Sequence, residues 1–187
     1  LFRSSDDWQM PMGRVPIDRQ LADAILQASS LIVADEEAHL YEHSLEVQLP
    51  FLQHVQPGLR IVPLVVSHLD YATCQQVARE LAVAIGSLRK PVLMVASSDM
   101  SHYESRQQAS RKDHLALDRI LAMDPEGLYN TVLGRHISMC GIMPTTIALL
   151  AAMELGASKA ELVRYTDSGE ASGDISQVVG YAGLIIS

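Results

Sequence analysis

The stretch Pro91-Val92-Leu93-Met94-Val95-Ala96-Ser97-Ser98-Asp99-Met100-Ser101-His102-Tyr103 decides how this chain is read. Val92 to Ala96 is a short apolar run of the kind that forms a buried strand, and polar residues follow it directly. In open α/β sheets ligands bind beyond the carboxyl ends of the strands, so Ser97 to Tyr103 is expected to face a pocket. Asp99 can accept from an imidazole N–H or ligate a cation, and His102, three residues on, can act as a base or a metal ligand. Ser98 belongs to the same pocket-facing loop. The competing reading is a polar loop that caps the next helix, with Asp99 or Ser101 as N-cap.

Strands and helices alternate on both sides of this stretch. Before it, residues 18–29 read as a helix and Leu31–Ala34 as a short strand. A helical pattern from His43 to Val55 follows, broken or kinked at Pro50, then a buried strand over Ile61–Val66 and an amphipathic helix over Asp70–Ile85. After it come a helix over Ser105–Leu121 and one opened by Asp124 as N-cap with Pro125 at its first position. A third is opened by Pro144 and closed by Gly156. Leu162–Thr166 and Val178–Ile186 read as strands joined by the Gly- and Ser-rich loop Asp167–Ser176. The alternation predicts a single α/β domain over residues 1–187, with helices flanking a mostly parallel sheet. The last two strands have no helix between them, so an antiparallel hairpin would make that sheet mixed.

Composition limits the function classes. With 187 residues, 48% hydrophobic and 19% charged, the chain is long enough and apolar enough for one buried core, which excludes disorder. A net charge of −8 supplies no positive field for a nucleic-acid backbone, so nucleic acid is not an expected partner. No apolar run reaches transmembrane length and Leu1–Met10 lacks a signal-peptide pattern, so no membrane association is expected. Two cysteines cannot build a disulfide framework, which points to a reducing, cytoplasmic setting. The opening Leu1, where a Met would be usual, reads as a piece of a longer chain.

Two further clusters carry chemistry. His43 and Glu46, in Glu42-His43-Ser44-Leu45-Glu46, share a helix face at three-residue spacing; they suit an acid/base pair or a ligand with its supporting partner. A solvated helix start explains the same acids. Cys140, in Met139-Cys140-Gly141-Ile142-Met143-Pro144, precedes a helix whose N–H groups favour a thiolate; it suits a nucleophile, a soft metal ligand or a small core residue. Cys74 reads as structural. His39, His54, His68, His114 and His136 lack a spaced partner, and Asp167-Ser168-Gly169 reads as a polar turn that forms part of a cleft wall. No zinc-finger, zincin, phosphate-loop or serine-elbow motif is present.

Four blocks together resemble the Memo family, called AmmeMemoRadiSam system protein B in prokaryotes. They are Glu42-His43-Ser44-Leu45-Glu46-Val47-Gln48-Leu49-Pro50, Ser97 to Tyr103, Cys140-Gly141-Ile142-Met143-Pro144, and Tyr165 to Gly180, in this order and spacing. The Val-Gln-Leu-Pro-Phe and Val-Val-Gly-Tyr stretches suggest a prokaryotic member. The resemblance implies a fold similar to class III, LigB-type extradiol dioxygenases, which use non-haem iron. It implies that His102 is the pocket histidine, Asp99 its nearby carboxylate and Cys140 a thiol metal ligand. His43 falls in the signature helix as a further candidate catalytic residue, and Glu46, Ser98 and Ser168 complete the pocket.

The family's N-terminal βα portion, with two blocks that supply imidazole ligands, is not found in this sequence. The expectation is therefore Fe(II) or Cu in a full-length chain and weak or no metal binding in this one. An unpaired sheet edge would also favour a homo-oligomer. Prokaryotic relatives accompany a radical-SAM protein, which implies a functional link, and the ligand is expected to be a small molecule or a peptide. Two rival readings stand beside a dioxygenase-like metal centre. One is a binding module with a vestigial pocket, and the other is a metal-independent hydrolase or transferase with Cys140 as nucleophile and His102 as base.

Overall fold

The computed structural model describes residues 2–3 and 6–187. These group into two compact units, one running up to His68 with Arg79–Leu93, the other formed by Leu69–Ala78 with Met94–Ser187.

In the first unit, strands β1 (Phe2–Arg3), β4 (Val33–Ala34) and β5 (Leu64–Val65) make a small sheet in the order β4-β1-β5. β1 runs parallel to β4 and antiparallel to β5. β2 (Trp8–Met10) and β3 (Gly13–Val15) form a separate hairpin, whose Gly13 takes φ 111°, a conformation that suits glycine. Helix α1 (Arg19–Ala28) starts at Asp18, whose carboxylate accepts the Leu21 N–H, and buries Leu21, Ala22 and Ile25. Pro50 breaks the helical pattern as expected: a 3₁₀ turn over Glu46–Gln48 leads into α2 (Leu49–Val55), with the proline in its first turn. Of the stripe Leu45, Leu49, Leu52 and Val55, only Leu49 is buried.

Helix α3 (Tyr71–Gly86) contributes to both units. The second unit contains β6 (His102–Glu104), α4 (Arg106–Leu121), α5 (Pro125–Gly134) and α6 (Ile142–Glu154). β7 (Ala160–Asp167), the single turn α7 (Gly169–Ser172) and β8 (Val178–Ile186) complete it. Its sheet has the order β6-β8-β7 and is wholly antiparallel. The expected hairpin of the last two strands is formed, with a register shift between Leu162 and Arg164. Asp124 caps α5 through the Gly127 N–H and Pro125 occupies the first turn, as the sequence dictates. Ala116, Leu117, Ile120, Leu128, Val132, Ile147 and Leu149 form the core.

The chain is α/β, but among the described residues the mostly parallel central sheet is not formed. Parallel pairing is confined to β1–β4 and the Ile17–Ile61 bridge. Pro63 interrupts the Ile61–Val66 run, because it has no N–H for a ladder; Ile61 makes only its isolated bridge and Leu64–Val65 alone form a strand. Val92–Ala96 carries no ladder hydrogen bonds, and Leu93 is 78% exposed, so this run is not a buried strand. A parallel strand needs neighbours on its edges and cover on both faces, and here it has neither. No helix among the described residues is long and apolar enough to cross a membrane.

Candidate metal centre

Three sequence-selected residues meet in the second unit. One donor atom each from Asp99, His102 and Cys140 lies within 4.8 Å of the other two. Their scaffold is not the carboxyl end of a parallel strand, as expected, but the loop that enters antiparallel β6 and the turn that opens α6. α6 itself begins at Ile142, two residues before Pro144. The N-cap of α4 is Ser105, so neither Asp99 nor Ser101 serves as its cap.

The two ligand-bearing segments are stitched together backbone to side chain. The Asp99 N–H donates to Cys140 Sγ at 3.1 Å, and the Gly141 N–H donates to Ser98 Oγ at 2.9 Å. Ser98 Oγ in turn donates to the Asp99 carbonyl at 2.7 Å. Gly141 is required by this approach: a Cβ there would press on the Ser98 side chain and lie 2.5 Å from the Ser97 carbonyl oxygen.

His102 is held from its other side. Its backbone N–H donates to Ser138 Oγ at 2.8 Å, and its Nδ1 lies 2.7 Å from the Ser138 carbonyl oxygen. A carbonyl only accepts, so this bond assigns the proton to Nδ1 and leaves the Nε2 lone pair free. Nε2 is the atom that faces Asp99, at 3.4 Å from Oδ2. The same division of labour orients metal-binding histidines in general. The chain then turns sharply. Tyr103 has φ 58° and bulges out between His102, paired with Val179, and Glu104, paired with Val178. Such a bulge re-aims neighbouring side chains; here it sends Tyr103 into solvent and leaves His102 half-buried.

His43 and Glu46 belong to the first unit, where Nδ1 and Oε1 pair at 2.6 Å on an exposed surface. Ser168 exchanges bonds with the Val179 backbone, accepting its N–H at 3.1 Å and donating its own N–H to the carbonyl at 2.9 Å. Val179 is also the register partner of His102, so Ser168 is one strand away across the sheet. Cys74 is wholly buried beside Met143, and burial pushes its thiol up to about 11, in keeping with a structural role. His39 lies edge-on to Trp8, and His114 points Nδ1 at the Ser110 carbonyl.

Ser138 and Asp113 were not singled out by the sequence. Ser138 carries no signal, because it matters through its carbonyl and a single hydroxyl. Asp113 had one, as a carboxylate within the apolar stripe Ala109, Ala116, Leu117 and Ile120 of α4.

The family model described as Memo-like protein matches residues 2–185. The chain belongs to the Memo-like family. It is 41% identical over 184 residues to a MEMO1 family protein of Methanosarcina mazei, covering 98% of this chain and 68% of that one. It is 40% identical to MEMO1 family proteins of Methanopyrus kandleri and Methanocaldococcus jannaschii, over 95% and 96% of this chain respectively. It spans 63% and 64% of the lengths of these last two Memo relatives.

Proposed function

We propose that this Memo-family chain holds one divalent redox-active metal ion, iron or copper, at Asp99, His102 and Cys140, in a centre similar to that of class III extradiol dioxygenases. The observation that carries the reading is the convergence of carboxylate, imidazole and thiol donors within 4.8 Å, with the Nε2 lone pair left free by the Nδ1–Ser138 bond. The donor set fits such an ion. A thiolate suits the softer metals, an imidazole suits iron, copper and zinc, and a carboxylate adds charge compensation.

A bound ion would supply Lewis acidity and one-electron chemistry. The chain's own residues do the rest. Ser138 sets the imidazole tautomer, and Ser98 and Gly141 lock the Asp99 and Cys140 backbones together. Three protein donors leave coordination positions for a small molecule or a peptide-borne group. A chain of the relatives' full length is proposed to bind the ion more tightly, in a LigB-like, mostly parallel sheet. The exposed strand-like residues Leu93 and Val95 support that sheet, since they lack cover here. The cytoplasm, homo-oligomeric association and a link to a radical-SAM protein complete the proposal.

One observation favours a second reading. Cys140 is exposed and lies beside an imidazole with a free lone pair, which is also the arrangement of a Cys/His nucleophile. Metal analysis of protein purified without a histidine tag, followed by titration with Fe(II), Cu(II) and Zn(II), tests the two. The metal reading expects saturable one-to-one binding, weaker than in a chain of the relatives' full length, that is lost in Cys140→Ser and that protects Cys140 from alkylation. Absence of binding, with Cys140 alkylated at the same rate whether or not metal is present, overturns it in favour of the nucleophile.

A further inference from the structure

Asp113 is wholly buried in the middle of α4. A carboxylate in such a place is costly unless it is hydrogen-bonded, so its bonds show what it is for. Oδ1 accepts the backbone N–H of Ser101 at 2.9 Å, and Oδ2 accepts the Tyr165 hydroxyl at 2.7 Å. Ser101 stands between Asp99 and His102 in the chain. β8 holds the same segment: the Met100 N–H donates to the Gly180 carbonyl, and the Gly180 N–H to the Ser101 carbonyl, both at 2.9 Å. Gly180 has no room for a side chain, because a Cβ there would fall on Asp113 Oδ2 and lie 3.1 Å from Met100 Cβ. The dipeptide Met100–Ser101 is therefore gripped by α4 and β8 together, and the two ligand residues extend from its two ends.

We propose that Asp113, acting through the Ser101 amide and braced by the Tyr165 hydroxyl, is the positioning residue that sets the directions in which Asp99 and His102 present their donor atoms. The inference rests on the metal-binding reading above. It accounts for a carboxylate where an apolar residue would pack more cheaply. The Ser101 N–H, sealed from water, needs an acceptor, and a carboxyl anchored at its second oxygen holds that acceptor at a fixed point.

Cobalt(II) is the probe, because its visible absorption and its thiolate-to-metal band report ligand geometry independently of stability. Asp113→Asn keeps an oxygen for the Ser101 N–H and an amide for Tyr165; it is expected to bind Co(II) within about threefold of wild type with the same spectrum. Asp113→Ala is expected to bind about tenfold or more weakly, with shifted bands in the folded fraction. Tyr165→Phe, which removes only the brace, is expected to shift the bands by less and serves as the deciding variant if Asp113→Ala does not fold. Wild-type affinity and spectrum in Asp113→Ala, or in Tyr165→Phe where the first does not fold, overturn the inference while leaving the metal reading intact. Failure of wild-type protein to bind Co(II), or undiminished binding by Cys140→Ser, overturns the metal reading and the inference with it.

Discussion

Ser138 holds His102 at two points: its hydroxyl accepts the His102 backbone N–H at 2.8 Å and its carbonyl accepts the ring Nδ1–H at 2.7 Å. The ring is thereby fixed in orientation and in tautomer before any ligand arrives. Two-bond ¹H–¹⁵N correlation on histidine-labelled protein above pH 8 should show His102 as the Nδ1–H tautomer. Ser138→Ala keeps the carbonyl, so the tautomer should persist while metal affinity falls by about tenfold, the usual cost of a lost supporting contact. A dominant Nε2–H form would contradict the geometry.

The two thiols should react very differently. Cys140 is exposed, whereas Cys74 is buried and its thiol is raised to about 11. A disulfide reagent at pH 8 should titrate one thiol promptly and the second only after denaturant is added. Two fast thiols in the native protein would mean that the α3–α6 contact around Cys74 and Met143 opens readily.

Tyr103 occupies a left-handed conformation that costs a side-chain-bearing residue about 1–2 kcal/mol. The residue is 78% exposed, so little packing offsets that cost. Tyr103→Gly should therefore keep or raise the Tm, and Tyr103→Val, β-branched at the same φ, should lower it. Thermal unfolding of the pair by circular dichroism checks the sign. An equal loss in both would assign the effect to the tyrosine ring.

Asp167 and Arg106 predict a pH dependence. Arg106 Nε and Nη2 each reach the Asp167 carboxylate at 2.7 Å, and the Gly169 N–H adds a third bond. The guanidinium, first, and the backbone N–H groups hold this carboxyl below its ordinary value of 3.8. Its contribution is thus fully present above the unfolded-state value and is lost as pH falls through the lower folded-state value. Asp167→Asn should melt earlier than wild type at neutral pH, and the gap should close in acid. A gap that persists unchanged down to pH 2 would show that the charge is not the source.

The sequence revealed local structure wherever one residue type imposes it. Asp124 and Pro125 start α5, and the strands read over Leu162–Thr166 and Val178–Ile186 pair as a hairpin. The metal-type cluster was legible because the chain has only seven histidines and two cysteines, and His102 and Cys140 stand in short polar segments beside apolar runs. Its scaffold was not. Val92–Ala96 has the composition of a buried strand, but a ladder depends on neighbours that composition does not specify. The bulge at Tyr103 and the clamp by Asp113 and Gly180 depend on contacts between residues far apart in the chain, which periodicity does not encode.

Cys140 meets the Asp99 amide across 41 positions of sequence, and the whole of α4 and α5 lies in between. A cross-link at that point would close a long loop and so remove chain entropy from the unfolded state, as a disulfide does. On the metal reading the ion is such a cross-link. It would make the stability of the α4–α5 segment depend on free metal concentration, rising by RT ln(1 + [M]/Kd). Amide exchange in two helices that contribute no ligand would then become a gauge of metal supply.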